Sequence, residues 1–359
     1  MRIGLFGFPL TGKSTMFTLL TGVDPSAHGA ARREGQIGVS KVPEPRLDRL
    51  AEMYKPKKVT PATIEYLDVA GMEKGEAAKV LPLDQLRLAD ALAHVVRGFH
   101  DDAVPHGEGE IDPARDSATM ETELILADHE IAERRVEKLD ALVRKTNKDT
   151  EKQELALMRR VLGELERGVP LRNVELDPRE RSMLRGYPFL SRKPLLVVVN
   201  ADETDGPKLD EGATAFGLEE MERHPATEVV ALSAKIENEI AHLEASDAAA
   251  FRSDLGIREP ALERMIRHSY HLLGYISFFT VGEDECRVWT IRAGTTARAA
   301  AGTIHTDLEK GFIRMEVVAY DDLLEAGSWN AARDRGTLRL EGKDYVVKDG
   351  DVVVVRFNV

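Results

Sequence analysis

Gly7, Gly12, Lys13 and Ser14 stand in the order G-x-x-x-x-G-K-S within the stretch Arg2 to Thr21. That spacing suits a polyphosphate cradle. The two glycines let the main chain pass close to phosphate oxygens, and the amides from Leu10 through Thr11 to Thr15 can converge on them. The first turn of the following helix adds partial positive charge. Lys13 would bridge the β- and γ-phosphates, and the Ser14 hydroxyl would complete the shell of a Mg²⁺ ion. A second set, Asp68-Val69-Ala70-Gly71, serves the same ligand. Asp68 can hold the Mg²⁺ directly or through water, and the Gly71 amide can sense the γ-phosphate. D-x-A-G alone arises often by chance, and its distance from the phosphate loop, that expected between first and third strands, gives it weight. A third set is Asn200-Ala201-Asp202-Glu203 with Ser233-Ala234-Lys235. In phosphate-loop GTPases an N-K-x-D carboxylate accepts a hydrogen-bond pair from guanine, and an S-A-K loop amide meets the guanine carbonyl. Here that lysine of N-K-x-D is missing and the fourth position is Glu203, one methylene longer. The alternative, plain turn residues after a strand, is less favoured because strand, Asn and the later Ser-Ala-Lys occur together. His268 and His271 lie at helical spacing with no third ligand in view and read as structural.

These residues need a scaffold of strands that end at loops. Ile3 to Phe6 is a short apolar run, and Met16, Phe17, Leu19 and Leu20 follow at helical spacing. Gly22 to Pro45 lacks any period and reads either as a first switch segment or as a plain surface connection. Arg46 to Met53 follows as a short amphipathic helix. Val59 to Val69 alternates like a strand and delivers Asp68. Asp90 to Phe99 is strand-like and leads to a loop, Asp101 to Pro113. Pro194 to Asn200 and Glu228 to Leu232 are further strands, and Glu259 to Leu273 is an amphipathic helix. Between them, apolar residues at helical spacing from Met120 to Leu142 and from Leu155 to Leu165 predict an antiparallel coiled-coil hairpin. Arg134 to Arg160 holds nine Lys and Arg against five Asp and Glu, either a contact patch for RNA or an acidic partner or simply a solvated face. From Tyr275 the texture changes to short strands around one helix, with turn signals at Glu341-Gly342 and Asp349-Gly350. A ubiquitin-like roll follows, with Trp289 and Phe312 in its core.

The chain has 359 residues, enough for two or three domains with proper cores. Its 49 basic and 62 acidic groups give a net charge of -13, so most of its surface repels nucleic acid and any RNA contact needs a local patch. DNA is not an expected partner. Cys286 is the single cysteine, which excludes an internal disulfide and suits a reducing compartment. The phosphate-loop strand at the very start leaves no room for a signal peptide, and the longest apolar runs, such as Leu195 to Val199 and Val352 to Val355, are too short for a bilayer. A cytoplasmic, monomeric protein without membrane contact is expected.

With these elements in place, the chain resembles the Obg-like ATPase (YchF) family nearly end to end. The likeness is carried by Pro43 to Lys58 (PEPRLDRLAEMYKPKK), the Asp68 to Gly71 turn, Glu121 to Leu139, Leu255 to Leu273, Ile304 to Leu323 and Leu340 to Val359. The resemblance implies an α/β fold: a TRAFAC-class, G-type P-loop NTPase domain over 1–275, carrying a helical hairpin insertion at about 117–190, followed by a β-grasp TGS domain over 276–359. It implies ATP preferred over GTP through N-x-x-E, matched by Asn200 and Glu203, and association with ribosomes through the hairpin and the TGS domain. Met72 stands beside the D-x-A-G turn where GTPases carry a water-orienting glutamine. The resemblance offers His106 instead, as an imidazole that positions or deprotonates water. Three departures stand out. Leu10-Thr11 replaces the Asn-Val of the family's loop, aligning back from Pro43 puts Arg32 where a switch threonine is expected, and Met72 to Val80 is shorter than the family's glycine-rich segment and keeps only Gly75. Arg32 is a candidate internal arginine finger. Three functions stay open: a slow Mg²⁺-dependent ATPase switch, a GTPase, and a nucleotide-binding scaffold with negligible hydrolysis.

Overall fold

The computed structural model describes residues 1–24, 35–69, 81–105 and 109–358. They divide into two compact units, one of 1–40 and 65–268, the other of 41–64 and 269–359.

The first unit is built on a six-stranded sheet. Its strands are β1 (Arg2–Phe6), β2 (Gln36–Lys41), β4 (Thr63–Asp68), β5 (Ala91–Gly98), β6 (Leu195–Ala201) and β7 (Thr227–Leu232), in the order β2-β4-β1-β5-β6-β7. The pairs β1 with β4, β1 with β5, β5 with β6, and β6 with β7 are all parallel. Strands covered on both faces are expected to read as continuous apolar runs, and β6, LLVVVNA, is buried at every position. Parallel order puts the ends of β1, β4, β5, β6 and β7 on one edge, where ligands of open α/β sheets bind. Helix α1 (Lys13–Thr21) follows β1 directly and buries Met16, Phe17 and Leu20.

Between β5 and β6 the chain runs out through α4 (Pro113–Thr146) and back through α5 (Asp149–Glu166); α2 (Pro45–Tyr54) and α3 (Leu81–Leu86) precede them. Asp112 caps α4 by accepting a hydrogen bond from the Arg115 amide, Pro113 opens its first turn, and Asn147 ends it in the left-handed conformation. Leu139 of α4 and Leu155, Met158, Val161 and Leu165 of α5 share one apolar core. Arg135 pairs with Glu154 and Arg159 with Asp140, each at 2.6 Å, so the two helices run in opposite directions. The root of α4 belongs to a different core, in which Met120 and Leu124 pack with Leu195, Val197 and Val229 of the sheet. Two buried polar groups fasten that root. Asp128 accepts hydrogen bonds from the Leu190 and Ser191 amides and the Ser191 hydroxyl, and Glu121 pairs with Arg172, whose Nε donates to Thr227.

The second unit also has six strands: β3 (Lys58–Thr60), β8 (Tyr275–Thr280), β9 (Glu285–Arg292), β10 (Phe312–Ala319), β11 (Arg339–Glu341) and β12 (Asp351–Phe357), in the order β11-β10-β12-β8-β9-β3. Helix Ala297–Ile304 covers a core of Phe278, Ile291, Met315, Val317 and Val353, with Trp289 and Phe312 packed against it. From sequence, a single boundary falls after residue 275; the structure instead groups 41–64 with the C-terminal strands. Two contacts hold it there: β3 pairs in parallel with β9 from Lys58 to Thr60, and Arg46 of α2 pairs with Asp349 at 2.7 Å. The alternation from Val59 to Val69 reads as one strand, and the structure divides it into β3 and β4, which join different sheets.

Candidate nucleotide-binding site

The loop between β1 and α1 takes the shape that its glycines permit. Gly7 has φ 146° and Gly12 φ 91°, both closed to ordinary side chains, and neither has room for one. A Cβ on Gly7 would stand 2.4 Å from the Val95 carbonyl oxygen, and one on Gly12 would stand 2.3 Å from Asn200 Nδ2. Helix α1 opens with no side-chain cap and no acid in its first turn, so its free amides and partial charge are left for an anion. Lys13 is buried and donates to the Phe8 carbonyl, and the Thr11 hydroxyl donates to the same oxygen at 3.1 Å. Burial pushes the Lys13 ammonium down to about 8, against the opposing pull of the Asp68 carboxylate. A desolvated ammonium held by one carbonyl is poised to donate to phosphate oxygens.

The base end is assembled by a single strand end. Asn200 donates from Nδ2 to the Thr11 carbonyl at 3.1 Å and accepts from the Ala234 amide at 3.0 Å through Oδ1. It thereby ties the phosphate loop to the Ser233-Ala234-Lys235 loop. Asp202 accepts from the His100 amide at 3.1 Å, which holds its carboxyl below the usual range, and Glu203 forms an ion pair with Lys235. Asn200 and Glu203 thus both hold the Ser233-Ala234-Lys235 segment, Asn200 also the phosphate loop, and Asp202 the loop after β5.

For Mg²⁺ the donor set is one hydroxyl, Ser14, and one carboxylate, Asp68 at the end of β4. Among the described residues no three His, Cys, Asp or Glu side chains cluster as a metal cage. Mg²⁺ in phosphate-transfer sites takes one or two carboxylates and fills its shell with phosphate and water, so this donor set fits. Gly71, Arg32, His106 and Met72 lie outside the described residues. His268 hydrogen-bonds Glu228 through Nδ1 at 2.6 Å.

A family model described as YchF-GTPase_C, a protein of unknown function (DUF933), matches residues 275–358. The chain is 42 % identical over 367 residues to a protein of Haemophilus ducreyi named "Ribosome-binding ATPase YchF", covering 100 % of this chain and 99 % of that one. A Bacillus subtilis protein of the same name is 39 % identical over 365 residues, with both chains covered completely. The chain belongs to the YchF family. The solved structure of the Schizosaccharomyces pombe YchF GTPase superposes with a TM-score of 0.86 at 31 % identity, covering 99 % of this chain and 97 % of that one. The YchF likeness therefore extends to the nucleotide-binding fold as well as the C-terminal domain.

Several residues at this YchF site carry no motif letter. His94 of β5 is buried, stacks on Phe6 with ring centroids 5.0 Å apart, and is held neutral, its imidazole pushed down to about 3 by burial and by the Lys13 charge. Its Nε2 has no partner among the described residues. Arg97, also buried, turns its guanidinium onto the carbonyls of Phe99, Asp101, Val104 and Pro105 and thereby shapes the loop after β5. The only signal for either in sequence is a polar letter inside the apolar run DALAHVVRGF. Lys235, by contrast, stood inside a recognised pattern, but only the loop amide of that pattern had a role. Leu10 is the strained member of the loop: it is exposed and left-handed at φ 61° where the family's pattern has Asn.

Proposed function

We propose that this chain is a Mg²⁺-dependent P-loop NTPase that prefers ATP to GTP, hydrolyses slowly, and acts as a ribosome-associated regulatory switch in the cytoplasm. The observation that carries the reading is the Asn200 bridge, which joins a phosphate cradle with a buried lysine to a base loop and so makes one nucleoside-triphosphate site of the two. The family's curated members, named ribosome-binding ATPases, support the partner. Ser14 and Asp68 hold the metal, which supplies charge neutralisation at the phosphates when bound. Lys13 binds phosphate, the loop amides orient it, and Asn200 and Glu203 face the base. His106 positions water, and Arg32 adds charge near the γ-phosphate. The second unit acts as a β-grasp TGS domain, and α4 with α5 as an inserted contact arm. Cations at the far end of that arm favour an RNA partner: Lys138, Arg144, Lys145 and Lys148 are exposed, and among the described residues none of them forms an ion pair.

Titration calorimetry with ATP and GTP, followed by single-turnover hydrolysis with and without ribosomes, tests this. Tighter ATP binding with ribosome-stimulated turnover is expected. GTP bound at least as well as ATP removes the ATP preference, and no turnover in either condition leaves a nucleotide-binding scaffold. Arg32→Ala with unchanged affinity and turnover removes the arginine finger. The scaffold reading has its own support in the strained Leu10 of the phosphate loop and in Met72 standing for a water-orienting glutamine.

A further inference from the structure

Lys235, in the first turn of the helix Ala234–Ile240 that follows β7, reaches across to Glu203 just after β6, and its ammonium contacts Oε1 of that carboxylate. Among the described residues the hydrogen bond goes to Oε1, and Oε2 accepts none. A carboxylate that reads guanine needs both oxygens, one for N1–H and one for the 2-amino group. Adenine presents a different edge, with an amino donor at position 6 and an acceptor at N1. We propose that Lys235 sets the base preference of this site by occupying one oxygen of Glu203 and presenting its own ammonium beside the other.

The resulting pair offers an acceptor and a donor side by side. Adenine matches it, with the 6-amino group on Oε2 and N1 on the ammonium. Guanine in the same pose sets O6 against the carboxylate and N1–H against the ammonium, and in the usual guanine pose it finds one carboxylate oxygen already taken. The pose itself is limited by Asn200, whose side chain is committed to the Thr11 carbonyl and the Ala234 amide. Both partners of the pair are substantially exposed, at 67 % for Lys235 and 47 % for Glu203, so the contact is weak in the empty site. It strengthens as a base covers it and expels water. This inference rests on the nucleotide-binding reading and goes beyond it by assigning selectivity to a lysine rather than to Glu203 alone.

The test is titration calorimetry on the full chain with Mg²⁺ and non-hydrolysable ATP and GTP analogues, for wild type, Lys235→Met and Lys235→Arg. Lys235 is exposed, so its substitution leaves the core intact, and circular dichroism checks the fold. Wild type is expected to favour the ATP analogue. Lys235→Met should shift the affinity ratio toward GTP by about tenfold, the size typical of one base-edge pair, while Lys235→Arg keeps the wild-type preference. A ratio that stays within about twofold in Lys235→Met, whether or not both affinities fall together, overturns the role of Lys235 and leaves nucleotide binding standing. Wild type binding neither analogue overturns the nucleotide reading, and the role of Lys235 with it.

Discussion

The two ends of the nucleotide site are built from different materials. The phosphate end is main chain: two left-handed glycines, a helix N-terminus without an acid, and a lysine buried behind them. The base end is side chain, with Asn200, Asp202, Glu203 and Lys235 each bonded to a neighbouring loop. Backbone recognition tolerates almost no substitution, because the shape of the loop is itself the binding group. Side-chain recognition can be retuned one residue at a time. A family can therefore keep its phosphate chemistry while its base preference drifts.

That contrast breaks most visibly at Gly7. Gly7→Ala puts a methyl 2.4 Å from the Val95 carbonyl oxygen in a conformation closed to alanine, and we expect a loss of roughly 3 kcal/mol of stability with loss of both ATP and GTP binding. Chemical denaturation and calorimetry read the two effects; an unperturbed variant would mean that the loop is not held as described. Next in size is Asn200→Ala, which strands the Thr11 carbonyl and the Ala234 amide inside the protein. It should cost about 2 kcal/mol and weaken both nucleotides alike. A change confined to one nucleotide would move Asn200 from the frame of the site to its selectivity.

Lys13 gives the phosphate end a pH dependence of its own on the alkaline side. Its ammonium titrates near 8 in the folded chain and near 10.5 when unfolded, so the unfolded chain binds more protons between those values. Stability should rise with pH across that window, in the opposite sense to a lysine that gains a partner on folding. Phosphate binds the protonated form, so affinity should fall by up to about tenfold per pH unit above 8 for both nucleotides, and lose that slope in Lys13→Met. The smallest effect is expected at Leu10. Leu10→Asn relieves a left-handed leucine and should raise stability by about 1 kcal/mol in a thermal melt without weakening ATP binding. A lower melting temperature would show that Leu10 holds something in place.

The same contrast explains what could be read from the sequence. The phosphate end was legible because its spacing is local: G-x-x-x-x-G-K-S fits inside one turn, and the strand and helix beside it show ordinary periodicity. The parallel strands were legible as apolar runs, with β6 the clearest. Glu203 and Lys235, 32 residues apart, could be placed in the same region by pattern, but their ion pair could not, since only the fold sets which atoms meet. Arg97 was hidden for a related reason. A buried guanidinium whose partners are all carbonyls leaves no complementary residue type to look for. The grouping of 41–64 with the C-terminal strands was hidden because the alternation from Val59 to Val69 shows no break where β3 ends and β4 begins, and which sheet each joins is set by partners far along the chain.

Helix α4 is a single uninterrupted element of 34 residues whose root is packed in the core beneath the nucleotide site and whose far end carries exposed cations. At 1.5 Å per residue, the stretch beyond Leu124 extends about 33 Å, and α5 braces it along the way. Geometry then supplies amplification. A tilt of about 10° at the root would sweep the tip through about 6 Å, more than the axial rise of about 3.4 Å per phosphate along one strand of a duplex. A small rotation at the root is thus large enough, at the end of this lever, to exchange one set of charge contacts for the next.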